Sequence, residues 1–185
     1  MEGSLSGQRA FLGLGSNVGD RLANLRLAVD ELDASSVIDL LAVSSIYETE
    51  PVGEVTDQAD FLNAAAEIVT ELEPLDLLGV IKEIEQNLGR TRNVVHGPRE
   101  IDIDLLIYDS IEGSFGELAD GRPALVLPHP LNLQRRFVLT PLIELDPELC
   151  QPDGCWLIDA LERLGPGQRL ERQNDPDRWR PRKMT

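Results

Sequence analysis

Apolar and polar positions recur along this chain with periods that mark its elements. Arg9 to Leu14 is a short, mostly apolar run and predicts a strand. It runs into Gly13-Leu14-Gly15-Ser16-Asn17-Val18-Gly19, read as a tight turn. Leu22, Leu25, Ala28, Val29 and Leu32 then lie on one stripe, so a helix is predicted over about Asp20 to Leu32. Ile38 to Tyr47 reads as a second strand. Phe61 to Leu72 alternates weakly through Leu62, Ala64, Ala66 and Ile68, and its length suits a hairpin partner for the second strand. Pro74 in a first turn, followed by Leu77, Leu78, Ile81, Ile84 and Leu88, predicts a second helix closed by Gly89. Lys82, Glu85 and Gln86 fall off its apolar stripe and are expected in solvent.

Ile101 to Tyr108 alternates, which is the period of a strand. Its odd positions are all apolar and should be buried. Its even positions begin as Asp102 and Asp104 and finish as Leu106 and Tyr108. Asp109 to Arg122 reads as a loop, and Leu125 to Leu127 as a short strand ending in Pro128-His129-Pro130. A helix follows over about Gln134 to Leu145, burying Phe137, Leu142 and Leu145. Trp156 to Leu164 reads as a last short helix. The order is β-α-β-β-α-β with a C-terminal extension. That is an α+β, ferredoxin-like plan, an antiparallel sheet with helices on one face. Residues 1–7 are expected to be disordered, residues 8–164 to form a single domain, and residues 165–185 to form a tail.

The alternating strand carries the chemistry. Two carboxylates leave one face with their Cα atoms roughly 7 Å apart, two strand rises. Such a pair suits two Mg²⁺ ions about 4 Å apart, which need hard oxygen ligands. The preceding loop carries Arg90, Arg92 and Arg99 and no acid until Glu100. Metal on some phosphate oxygens and guanidinium forks on others is what a polyphosphate requires.

Charge sharpens this picture. The 185 residues carry a formal net charge of −16, which argues against a nucleic-acid partner. The arginine loop is a positive island on that background, fitted to a small anionic ligand. MEGSLSGQRA has neither a basic start nor an apolar core, and no apolar run approaches a membrane span. A cytoplasmic location, no membrane partner and a monomer or weak homodimer are the expectations. Cys150 and Cys155 read as free thiols at a turn. The glycine turn after the first strand lacks the G-x-G-x-x-G spacing of a dinucleotide site, and no glycine is followed by lysine, so a P-loop is absent. Ser16 and Asn17 stand at the mouth of that turn, where a ligand could be lined.

Four ordered pieces, FLGLGSNVGDR, SSIYETEPVG with FLNAA, GRTRNVVHGPREIDIDLL, and LPHP with RRFVLTPL, span about residues 8 to 150. Together they resemble the 6-hydroxymethyl-7,8-dihydropterin pyrophosphokinases of folate synthesis. The resemblance implies transfer of the β,γ-pyrophosphoryl unit of Mg-ATP to a pterin alcohol, with AMP leaving. It implies that Asp102 and Asp104 hold two Mg²⁺, that Arg90 and Arg99 bind phosphate, and that Arg92 is a further candidate in their loop. His129 matches a phosphate-contacting histidine and Arg135 a basic residue of the nucleotide side. Phe61 and Phe137 match an aromatic pair around the pterin, and Asn63 the residue that bonds its edge, with backbone help from Thr49 and Val52. The chain departs from the family pattern at Val95-His96, where Arg-Trp is common, and at Pro130-Leu131. Two rival readings of the D-x-D strand remain, a metal-dependent nucleotide-sugar transferase and a non-enzymatic ferredoxin-like ligand-binding module.

Overall fold

The computed structural model describes residues 7–51, 58–89, 99–167 and 169–174. Its first strand, β1 (Gln8–Ser16), is an interior strand of the sheet. It runs further than its apolar run suggested, so Gly13 and Gly15 lie inside the strand. The turn falls at Gly19, whose φ of +66° suits a residue without a Cβ. Helix α1 (Arg21–Ala34) starts there, capped by Asp20, whose carboxylate accepts from the Ala23 N–H at 3.0 Å.

The predicted second strand is broken in two, β2 (Asp39–Val43) and β3 (Tyr47–Thr49), which both pair with β4 (Phe61–Thr70). Hydrogen bonds explain the break. The Ser44 Oγ accepts from the Ala65 N–H at 2.9 Å, replacing a ladder bond. Ser45 turns its N–H and Oγ to the Glu144 carboxylate at 2.9 and 2.7 Å. Helix α2 (Pro74–Asn87) has Pro74 in its first turn and ends as expected, with Gly89 at φ +88° donating to the Gln86 carbonyl.

β5 (Asp102–Tyr108) pairs with the other side of β1. The order β5-β1-β4-β2/β3 is the ferredoxin-like one, and every described pairing is antiparallel. One detail of the alternation is corrected. Phe11 pairs with Ile107 and Leu12 with Leu105, leaving Leu106 as a bulge. Past it the faces exchange: Ile107 joins Leu106 on one side, and Tyr108 turns to the other, donating its hydroxyl to the Leu72 carbonyl.

The apolar stripes of α1 and α2 pack on one face, against Leu12, Leu14, Ile103 and Leu105. The C-terminal extension covers part of the opposite face. There α3 (Arg136–Leu145) and α4 (Leu157–Leu164) pack Leu139, Leu142 and Leu157 on Phe11, Ala65, Leu106 and Ile107. The stretch read as a loop after Tyr108 contains β6 (Gly113–Phe115), which pairs with β7 (Leu125–Leu127). The stretch read as a tail contains β8 (Leu170–Arg172), an edge strand on β3. Alternation in so short a strand is too brief to read. Cys150 and Cys155 are free thiols. Residues 1–6, the larger part of the predicted disordered start, lie outside the described residues.

Candidate active site

The face that α3 leaves uncovered is built from residues standing side by side across three strands. On β5, Asp102 and Asp104 share that face. On β1 their partners are Gly15 and Gly13. On β4 the next partners are Asn63 and Ala65. Both glycines leave little room for a Cβ. A Cβ on Gly13 would sit 3.2 Å from the Leu106 Cδ1, and one on Gly15 would sit 3.3 Å from the Asn63 Oδ1. They therefore form a flat floor between an acidic end and an amide end. In the sequence these glycines read as part of a turn. Their spacing of two, placing both on one face of a strand, was the signal.

Above the floor lies a cleft of about 260 Å³. Thr49, Phe61 and Asn63 line one end, with Phe137 at the start of α3. The Asn63 amide donates to the Thr49 Oγ1 at 2.8 Å, and both side chains are buried. That bond fixes the amide plane and leaves the Asn63 Oδ1 over Gly15. Thr49, expected to act through its backbone, places its side chain in that bond. Phe137, predicted buried, is half-buried because one side faces the cleft.

Arg99, Asp102, Asp104, His129 and Arg135 line the other end. Arg99 donates a guanidinium N–H to Asp102. Burial, then repulsion from Asp102, raises the Asp104 pKa to about 6, while Lys82 and Arg99 pull the other way. The His129 N–H donates to the Leu106 carbonyl at 2.8 Å, and its ring Nδ1 accepts from the Leu131 N–H at 3.3 Å. Burial, then the Arg135 charge, lowers the His129 pKa, so its ring is neutral with the proton on Nε2. Arg135 places its guanidinium carbon 5.6 Å from the Phe137 ring centre and joins the two ends.

Asn17, expected only at the mouth of a turn, is buried and ties three segments. Its Oδ1 accepts from the Arg99 N–H at 2.8 Å, and its own N–H donates to the Arg99 carbonyl at 3.1 Å. Its Nδ2 donates to Gln58 Oε1 at 3.0 Å and to the Ala59 carbonyl. Glu85 is a correction: expected in solvent, its side chain is 1% exposed, paired with Lys82 and bonded to the backbone of Ile103. A single acid off the apolar stripe carries no sign of the strand edge that awaits it. Arg90, Arg92, Val52 and the Val95-His96 departure lie outside the described residues.

A family model described as 7,8-dihydro-6-hydroxymethylpterin-pyrophosphokinase (HPPK) matches residues 11–147. The chain belongs to that family. A curated HPPK of Methylorubrum extorquens is 48% identical over 158 residues, covering 85% of this chain and 94% of that protein. One of Bacillus subtilis is 46% identical over 138 residues, 74% of this chain and 77% of that protein. Both are called 2-amino-4-hydroxy-6-hydroxymethyldihydropteridine pyrophosphokinase. A solved Plasmodium falciparum HPPK-DHPS with pterin and p-hydroxybenzoate superposes with a TM-score of 0.68 at 16% identity, over 88% of this chain and 45% of that one. That last likeness supports the fold. Family and reaction class are those the four motifs implied: the HPPK reaction is pyrophosphoryl transfer in folate biosynthesis.

Does this site suit Mg²⁺? Among the described residues, no group of three or more His, Cys, Asp or Glu could hold a metal ion. The protein offers two carboxylates on one strand face, one of them held at a raised pKa by burial and then by repulsion from its neighbour. A divalent cation relieves that repulsion, and Mg²⁺ characteristically takes one or two carboxylates and completes its shell with phosphates and water. The donor set fits.

Proposed function

We propose that this chain carries out the HPPK reaction by holding a pterin alcohol and ATP at opposite ends of one cleft. The carrying observation is the pairing of an amide-and-aromatic end with an acid-and-cation end across a floor of two glycines. Asn63, steadied by Thr49, bonds the edge of the heterocycle, because an amide both donates and accepts. Phe61 and Phe137 cover the pterin faces, and Val52 adds backbone contact. Arg99, His129 and Arg135, with Arg90 and Arg92, hold the phosphates.

The pterin hydroxymethyl oxygen bonds to the β-phosphorus of ATP. The bond from that phosphorus to the α,β-bridging oxygen breaks, AMP leaves, and the hydroxyl proton is released to solvent. Such a transfer depends mainly on positioning and charge neutralisation. Asp102 and Asp104 would hold Mg²⁺, two ions on this reading, which supplies Lewis-acid neutralisation of the phosphoryl oxygens. Asp102 and Arg99 orient each other through their hydrogen bond. His129, neutral and with Nδ1 engaged, presents an Nε2–H donor. The partners are two small molecules, and the setting is the cytoplasm, with the chain a monomer or weak homodimer.

The test is incubation with ATP, Mg²⁺ and 6-hydroxymethyl-7,8-dihydropterin. AMP and the pterin pyrophosphate should appear in equal amounts, and EDTA should abolish both. ADP as the nucleotide product, or AMP formed without the pterin, would refute the reading.

A further inference from the structure

β5 is an edge strand of the six-stranded sheet. On one side it pairs with β1, and Gly15 and Gly13 face Asp102 and Asp104. The residue between the aspartates, Ile103, points its own backbone N–H and C=O away from β1. An edge strand normally gives such groups to water, yet Ile103 is completely buried under α2. Two side chains of α2 take the place of a further strand. The Ile103 N–H donates to the Glu85 Oε1 at 2.7 Å, and the Lys82 Nζ reaches the Ile103 carbonyl at 3.4 Å. The same Nζ pairs with the other Glu85 oxygen at 2.9 Å. Helix spacing makes the bracket work, since residues three apart share a face.

The location matters more than the bonds. Side chains of a strand alternate, so a rotation of the backbone at residue 103 swings both neighbours together. Fixing Ile103 by both its polar groups fixes the direction in which Asp102 and Asp104 leave the sheet. A third carboxylate near two that already repel is unfavourable, and an apolar side chain would seal α2 against the edge without that charge.

We propose that Glu85, anchored by Lys82, is a positioning residue of the HPPK site, setting the aim of Asp102 and Asp104 through the backbone of Ile103. This rests on the functional reading above.

The test compares Glu85→Ala, Glu85→Gln and Lys82→Met. Mn²⁺ binding in the presence of a non-hydrolysable ATP analogue is measured by electron paramagnetic resonance, and pterin binding by fluorescence. Amide exchange at Ile103 and turnover complete the set. Glu85→Ala should lose about 10–100-fold in Mn²⁺–nucleotide affinity, as outer-shell partners of metal ligands typically do, with turnover falling alongside. Its pterin affinity should hold, and Ile103 exchange should accelerate. Glu85→Gln keeps an acceptor for the Ile103 N–H and should restore affinity to within about threefold. Lys82→Met, which leaves the acceptor in place, gives a milder loss of the same kind and serves if Glu85→Ala does not fold. Faster Ile103 exchange with unchanged Mn²⁺ binding would overturn the proposal, leaving a merely structural seal. Equal losses in the Ala and Gln variants would also overturn it, since charge and not the backbone bond would then be responsible. If the unaltered protein released no AMP, the functional reading would fall, while the Mn²⁺ comparison would still decide the bracket.

Discussion

Asp104→Asn should make the protein more stable while removing its activity. The carboxylate is raised from 3.8 to about 6 by burial and by Asp102. The folded protein without metal therefore holds a proton that the unfolded chain releases. This group's contribution to stability is greatest below pH 3.8 and is lost as pH rises through about 6, the sign expected when the folded state binds more protons. At roughly 1.4 kcal/mol per pH unit, that rise corresponds to about 3 kcal/mol of strain above pH 7. Asparagine has similar volume and no charge, so it should recover about 2–3 kcal/mol at pH 7.5. For a chain of this length, that is an increase in Tm of roughly 5–10 °C. At pH 3.5 the two proteins should melt together, because both side chains are neutral there. Differential scanning fluorimetry across pH 3.5 to 8, with EDTA, measures this directly. Mg²⁺ with an ATP analogue should then stabilise the parent protein and leave the variant unmoved. A gain of equal size at pH 3.5 and 7.5, or a lower Tm at pH 7.5, would refute the reasoning.

Gly15→Ala should press on the Asn63 amide and raise KM for the pterin by tenfold or more, about 1.4 kcal/mol, with nucleotide affinity retained; titration of each ligand separates the two. Arg99→Ala should lower turnover far more than pterin affinity, and a pure loss of pterin affinity in steady-state kinetics would contradict its assignment. Metal–nucleotide affinity should fall about tenfold per pH unit below about pH 6, where a proton on Asp104 competes with the cation, and calorimetry in that range tests it. Glu144→Ala removes acceptors for the Ser45 N–H and Oγ and the Tyr47 hydroxyl, and should cost about 2–4 kcal/mol in urea denaturation.

The chemistry of this site was legible wherever it followed a period. Asp102 and Asp104 leave the same face because strands alternate, and both α1 and α2 bury the stripes their spacing implied. What could not be read depends on neighbours distant in sequence. The bulge at Leu106 arises only because β1 pairs there out of step. The break between β2 and β3 needs Glu144, ninety-nine positions from Ser45. Glu85 looked like a solvated acid because its partner is a backbone group of another element. The glycines of the first motif read as a tight turn, yet they serve through their lack of bulk.

The floor of the cleft has one further consequence. Asp102, Gly15 and Asn63 occupy three adjacent strands, so the gap between the acidic and amide ends is two interstrand spacings, about 10 Å. Backbone hydrogen bonding sets that interval as firmly as the rungs of a ladder, whatever the loops at either end do. Insertions and exchanges in those loops can retune entry and release of substrates while the gauge separating them stays constant.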